Sequence, residues 1–516
     1  MEAYDYIVIG AGTAGGWLAR RLVEGSDGKV LVIEAGGGYP GLVFGPPLAG
    51  MRLRGPWTWP VETVPQDQLG GRTVKYPMGR VVGGTSSVNA MIFNTGADAD
   101  YDEWEAAGCH GWGGAEVRRV FGRLSGAGGW LTVSGPRHRA AFSEAFLGAC
   151  EGAGLRRVEL VTGEEAETCG YFPVLQKEGV RVGAATACLG EVMGHPRLTV
   201  WKRAEVRRLM MRGDCVTGVE LVDGRRAVGG ETVLSAGVFL SPVILQRSGI
   251  GDPEWLERCG VRVVAGLKGV GGNLHDHVRV PVLYEAVRRS PGRGSCWLPA
   301  AARYLMKRDG VMASNCCEAA AFFGSERGAA RSDLEIITHF QTALHSGAVD
   351  MECLLLQPES RGSVRMNPRD PDGMPLVDAG FLRVGGDVRR LMAGVERIRE
   401  IAGSVGVWRE FPLGGELLPG KGVRMGAGME EYLRANATTG YHPGGTCRMG
   451  EDEMAVTDSE LRVRGVDGLR IADASVMPTG PTGSTAGAVF MIAERLAEMM
   501  VGGGGGAGAD SLPEES

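Results

Sequence analysis

Residues 6–15 read Tyr6-Ile7-Val8-Ile9-Gly10-Ala11-Gly12-Thr13-Ala14-Gly15, and residues 29–34 read Lys29-Val30-Leu31-Val32-Ile33-Glu34. The first apolar run is short, β-branched and closed by glycine, so it reads as a buried parallel strand. Trp17-Leu18-Ala19-Arg20-Arg21-Leu22 follows as a helix, and residues 29–33 form a second strand that ends at Glu34. A G-x-G-x-x-G turn between a strand and a helix, with an acid closing the next strand, is the dinucleotide-binding pattern. Gly10 permits the tight turn, Gly12 lets a pyrophosphate reach the backbone, and Gly15 lets the helix pack closely on the strand. The open N–H groups and partial positive charge of the helix start then attract phosphate. Glu34 is placed to accept hydrogen bonds from ribose hydroxyls.

Outward from this unit, Ala35-Gly36-Gly37-Gly38 runs into an irregular Gly/Pro-rich stretch through Pro56. A nicotinamide domain would begin its next helix sooner, so the excursion suits a larger cofactor. With 516 residues the chain exceeds what one core usually holds. Glycine accounts for 85 residues, well above the usual ~7%, with much of the excess beside putative turns and nucleotide loops. The run Gly502–Gly508 reads as a disordered tail. Net charge is −6 and no basic block occurs, which argues against nucleic acid. The 11 cysteines lack zinc spacing and read as reduced thiols, so no metal is expected. No leader and no membrane-spanning run is visible, and a cytoplasmic or organelle-lumen location is expected.

Five further stretches follow in order. The first is Gly79-Arg80-Val81-Val82-Gly83-Gly84-Thr85-Ser86-Ser87-Val88-Asn89-Ala90-Met91-Ile92-Phe93. The second spans Gly237 to Gly251 and holds Ser241-Pro242 and Ser248-Gly249-Ile250-Gly251. The third is Gly269-Val270-Gly271-Gly272-Asn273-Leu274-His275-Asp276-His277. The fourth is Tyr441-His442-Pro443-Gly444-Gly445-Thr446-Cys447-Arg448-Met449-Gly450, and the fifth is Gly468-Leu469-Arg470-Ile471-Ala472-Asp473-Ala474-Ser475-Val476-Met477-Pro478. Consecutive glycines and small hydroxyl residues in the 79–89 loop let it lie against a flat ring system and donate N–H groups. Asp473, at the end of a strand-like run, suits either a cofactor hydroxyl or a cap on the next segment.

Together these motifs resemble the glucose–methanol–choline oxidoreductases over nearly the whole chain. The resemblance implies an α/β protein with a Rossmann-type FAD-binding domain and an inserted α+β substrate domain, a mixed sheet flanked by helices. It places the discontinuous FAD domain at 1–280 and 436–502 and the substrate domain at 281–435, with further substrate-domain segments within 105–190. It implies that FAD is held by Gly10, Gly12, Thr13, Gly15, Glu34, Ala35, Arg80, Val82, Gly84, Thr85, Asn89, Ala90, Val206, Asp473, Ala474 and Thr485. Strands around Val206 and Val219 are expected near the adenine. Family members that tether FAD covalently use a histidine near the position of Val88, so the flavin is expected to be non-covalent here.

Oxidation of a small-molecule alcohol to an aldehyde or ketone, with oxygen or a quinone-type acceptor, is the implied reaction. It needs a base near neutral pKa, and His442 matches the family's catalytic histidine. The family's second His or Asn falls at Ala486, in Thr482-Gly483-Ser484-Thr485-Ala486-Gly487-Ala488. Either Ser484 or Thr485 partners His442, or turnover is weakened, or the chemistry differs. Two rival readings stay open at this stage: a fatty-acid photodecarboxylase-like or lyase-type flavoprotein, and an FAD-binding protein with lost activity. The photodecarboxylases carry a cysteine that matches Cys317. Their carboxylate-binding arginine falls at Ile337, however, and they lack the histidine present as His442.

Overall fold

The computed structural model describes residues 3–51, 53, 55–126, 128–287, 297–339, 347–404, 408 and 411–502. The tail expected to be disordered, beyond residue 502, lies outside them. Strand β1 (Ala3–Ile9), helix α1 (Thr13–Gly25) and strand β2 (Val30–Glu34) appear in the order read from the sequence. All of β2 is buried, as a parallel strand covered on both faces should be. β1 lies between β2 and Arg226–Leu234, parallel to both. Leu198–Lys202 extends the parallel set beyond β2, and Leu469–Ile471 pairs parallel to Arg226–Leu234. The antiparallel strands Cys215–Leu221 and Val206–Arg212 complete this 7-stranded sheet. The first and last helices are joined across one face of it. The fully buried Trp17 donates its indole N–H to Glu494 in the helix Ala486–Gly502 at 2.9 Å, and Arg21 pairs with the same carboxylate at 2.8 Å.

A second, 8-stranded sheet runs Leu413–Leu418, Val278–Ala286, Ala348–Leu355, Leu334–His339, Ala319–Phe323, Thr168–Tyr171, Arg156–Leu160. Thr438–Thr439 pairs with the start of Val278–Ala286. The helix Gly385–Ala402 packs its Leu391, Val395 and Ile398 beneath one face. The other face looks toward the first sheet. Its antiparallel register sets Ile337 opposite Glu352, and Glu335 opposite Leu354, which in turn is opposite Arg279. Because side chains alternate along a strand, this face carries Glu335, Ile337 and His339 from one strand and Glu352 and Leu354 from the next. The α/β architecture, with a Rossmann-type unit beside a mixed sheet flanked by helices, is as expected from the sequence. Among the described residues, no helix is long and apolar enough to cross a membrane.

Candidate active site

A cavity of about 360 Å³ runs from the first glycine turn to His442 and the face of the second sheet. Gly10, Gly12, Thr13, Glu34, Ala35, Gly84, Thr85, Asn89, Ala90, Val206, Asp473, Ala474 and Thr485 all line it. Gly10 has φ +101, and a Cβ there would fall 2.3 Å from the Ser235 carbonyl oxygen. Gly12 precedes α1 without a side-chain cap, so the amides of the first turn are open to a ligand. Ser235 also lines the cavity, and its buried hydroxyl has no partner. A long pocket, a bare helix start and an orphaned hydroxyl are features that a dinucleotide completes, so these residues fit FAD.

Three expected cofactor residues stand elsewhere. Gly15 lies beneath the turn, where a Cβ would meet the Gly10 carbonyl oxygen at 2.0 Å; its part is close helix–strand packing. Arg80 borders a shallow neighbouring groove and pairs with Glu205 at 3.1 Å. Val82 is buried and donates its amide to Gly37 at 2.9 Å. Glu34 faces the cavity, but its oxygens accept the Ala11 amide at 2.9 Å and the Gly36 amide at 2.7 Å. Burial pushes its carboxyl up to about 7, against the lowering effect of those amides and Arg80. Asp473 acts as the cap that the sequence suggests and also borders the cavity. It caps Ser475 at 2.8 Å, and accepts from the Gly237 amide at 2.8 Å and the Ser241 hydroxyl at 2.6 Å.

His442 sits at the far end. Its Nδ1 lies 3.0 Å from Nδ1 of His277, with the rings edge to face at 5.0 Å. The backbone builds this pair. His275 and Gly444 exchange amide hydrogen bonds at 3.1 and 2.9 Å, and the Gly440 amide donates to the His277 carbonyl at 2.6 Å. Asp276 accepts the His442 amide at 2.9 Å and the Tyr76 hydroxyl at 2.9 Å. Burial, followed by the nearby Arg279, lowers the His442 pKa to about 4. Burial, with His442 and His275 close by, holds His277 well below the ordinary histidine range. Both rings are therefore neutral at pH 7.

Ala486 opens the last helix and lines the cavity with a methyl group. The Ser484 hydroxyl donates to the Ile92 carbonyl at 3.2 Å, while Thr485 starts the helix by accepting the Val489 amide at 3.0 Å. Val88 borders the cavity, with its side chain packed against Phe44 and Val81. Sequence reasoning assigned no role to His277, although it stands in the quoted Asp276-His277 motif. It also missed Arg181, which is 1% exposed and ties the 79–89 loop together through Asn89 Oδ1 at 2.9 Å and the Ser86 carbonyl at 3.2 Å. No local pattern marks Arg181, because its partners are more than 90 residues away in sequence.

The family models described as GMC oxidoreductase match residues 4–279 and 358–493. An oxygen-dependent choline dehydrogenase of Rhizobium johnstonii is 33% identical, covering 96% of this chain and 95% of that protein. An alcohol dehydrogenase [acceptor] of Pseudomonas putida is 32% identical, covering 96% of each. Among solved structures, pyridoxine 4-oxidase from Mesorbium loti superposes with a TM-score of 0.87 at 29% identity, covering 96% of this chain and 98% of that one. With the nucleotide turn and His442 in one cavity between the two sheets, these matches make the chain a member of the GMC oxidoreductases, the FAD-dependent enzymes that oxidise alcohols.

Proposed function

We propose that the chain oxidises an alcohol to an aldehyde or ketone, with His442 as the base that receives the hydroxyl proton. FAD, when bound, supplies the hydride acceptor. The open amides of the α1 turn, Glu34, the 79–90 loop and the 473–474 and 485 positions would hold it, without a covalent link at Val88. The contact between His277 and His442 carries this reading. Two neutral imidazoles joined Nδ1 to Nδ1 share one proton, so one donates and the other accepts. The Leu356 and Pro481 carbonyls favour a proton on the far side of His277, although no well-formed hydrogen bond reaches its Nε2. In that tautomer His277 Nδ1 accepts from His442, and His442 Nε2 keeps its lone pair as a base. His277 thereby orients the ring, a task to which Ala486 contributes nothing.

The electron acceptor is oxygen or a quinone-type compound. A single experiment addresses both points. The yellow protein is mixed anaerobically with choline, pyridoxine, benzyl alcohol and short primary alcohols, and flavin absorbance is followed. Oxygen or a soluble quinone is then admitted in parallel samples. Bleaching by at least one alcohol, with one carbonyl product formed per flavin, is expected. A flavin that stays oxidised across the panel would refute the reading.

A further inference from the structure

Glu335 stands on the face of the second sheet that borders the cavity, which it shares with His442. The register surrounds it with apolar neighbours. Phe322 lies opposite on one flanking strand and Leu354 on the other, and Ile337 follows on the same face of its own strand. The side chain is 1% exposed, and its Oε2 has no hydrogen-bond partner. The other carboxyls of the cavity wall are engaged. Glu34 accepts the Ala11 and Gly36 amides, and Glu205 pairs with Arg80. Glu352 is held by Arg279 and His339, and Asp473 by the Gly237 amide and the Ser241 hydroxyl.

Burial alone acts on the Glu335 carboxyl and pushes it up to about 8. Among the described residues, no nearby ionisable group relieves it. His339, on the same strand, is turned to Glu352. Asp333, just before the strand, accepts from the Ser325 amide and hydroxyl. Cys353 on the next strand points to the opposite face, where a Cβ on Gly394 of the covering helix would meet its sulfur. The strand Ala319–Phe323 carries no titratable side chain. A buried carboxyl oxygen beside a cavity, with no donor, carries a cost that a ligand can recover. Because burial penalises the ion, a cation with an N–H recovers most of it. Such a group supplies both the opposite charge and the missing hydrogen bond.

We propose that Glu335 selects the substrate: an alcohol that carries a protonated primary or secondary amine, whose N–H bonds Oε2 of Glu335 while its hydroxyl faces His442. The hydroxyl end rests on the alcohol-oxidation reading, and the amine end rests on Glu335. Ile337 and Leu354 offer apolar wall to the carbon chain between them. Binding has a proton balance. Near pH 7 the free Glu335 carboxyl holds its proton. The incoming ammonium keeps its own protons, Glu335 ionises beside it, and the acid proton passes to the buffer. A neutral alcohol of the same shape releases none. A quaternary ammonium alcohol such as choline brings charge without an N–H, and leaves Oε2 without a donor.

The test uses the full-length, FAD-loaded protein. 3-Amino-1-propanol, 4-amino-1-butanol and 5-amino-1-pentanol are compared with 1-butanol, 1-pentanol and 1-hexanol, in which a methyl group replaces the ammonium. Anaerobic flavin reduction gives kcat/KM for each. At least one amino alcohol should exceed its counterpart about tenfold or more, and Glu335→Gln, which cannot ionise, should remove that preference. Choline should gain less over 3,3-dimethyl-1-butanol, its uncharged counterpart; an equal gain overturns the N–H claim. Butylamine, which has no hydroxyl to oxidise, is titrated calorimetrically at pH 7 in buffers of different ionisation enthalpy. Its binding should release close to one proton in the native protein and none in Glu335→Gln. No preference for any amino alcohol, or a preference that survives in Glu335→Gln, overturns the proposal. Bleaching by the alkanols alone would do so and leave the alcohol reading standing. Butylamine binding with proton release, but no bleaching by any alcohol, would sink the alcohol reading and leave the amine site.

Discussion

His442 and His277 lie 165 positions apart in sequence and 3.0 Å apart in space. Replacing His442 with alanine should slow alcohol-dependent flavin reduction by about 10²–10⁴-fold, the usual cost of losing a general base, while FAD stays bound. His277→Ala should cost less, because it removes orientation and leaves the base. The pH profile gives a finer test. A base must be unprotonated, and burial lowers the His442 pKa to about 4. Reduction rates in stopped flow should therefore hold from neutrality down to about pH 5 and fall as pH drops through about 4. A limb near the ordinary histidine value would mean that the ring is wet and the burial argument is wrong. His442 was legible in the sequence because a ten-residue motif surrounds it. His277 was visible but mute, since nothing in local spacing says which loop a histidine will face.

Among elements, the junction of β1, α1 and β2 is the one the sequence described most completely. Strand, turn, helix and acid are contiguous there, so each signal reinforces the next. Its one hidden feature is that Glu34 already binds the backbone, through Ala11 and Gly36. Glu34→Ala should thus leave two amides of the turn without an acceptor and, if Glu34 meets the ribose as proposed, remove that partner as well. Hydrogen bonds contribute about 0.5–1.5 kcal/mol each, rising to about 1.5–3 where the group is charged, and burial leaves the Glu34 carboxyl ionised in only part of the molecules near pH 7. FAD affinity, titrated into apo-protein, should weaken at least ~10-fold, since ~1.4 kcal/mol is a factor of ten. Unchanged affinity would remove Glu34 from the site. The second sheet was far less legible. Arg156–Leu160 pairs with nearby Thr168–Tyr171, but Thr168–Tyr171 reaches the rest of the sheet only through Ala319–Phe323, more than 100 residues later. Ala319–Phe323 is buried throughout and shows no alternation to read. Sheet membership of this kind is set by long-range pairing, which no local window contains.

At the scale of the whole molecule, the cavity exists because two sheets face each other, one bringing the nucleotide turn and the other a wall of ionisable side chains. That wall has a thermodynamic consequence. Burial pushes the Glu335 carboxyl up to about 8, from an ordinary value of 4.5. The folded state therefore keeps a proton that the unfolded chain releases near pH 4.5. Between that pH and about 8 the native state binds more protons than the unfolded one, so this group lowers stability progressively as pH rises across the window. Each unit of displacement corresponds to about 1.4 kcal/mol, which sets the full effect on the order of a few kcal/mol for a side chain so enclosed. Buried histidines act in the opposite sense, but only below their unfolded pKa near 6.5: His442 and His275, lowered to about 4 and about 3, lose stability as pH falls. Above 6.5 these two histidines drop out, but His339, held above its ordinary range by Cys317 and Glu352 against burial, loses stability in the same direction as the carboxyls, so Glu335 is isolated by comparing the native protein with a variant at that position alone. Glu335→Gln, which keeps the shape of the protonated acid and cannot ionise, should gain stability over the native protein as pH is raised from 5 to 8. Thermal melts of the two FAD-loaded proteins across that range measure it. A difference in melting temperature that stays flat with pH would show that Glu335 finds water or a partner in the cavity and does not resist ionisation.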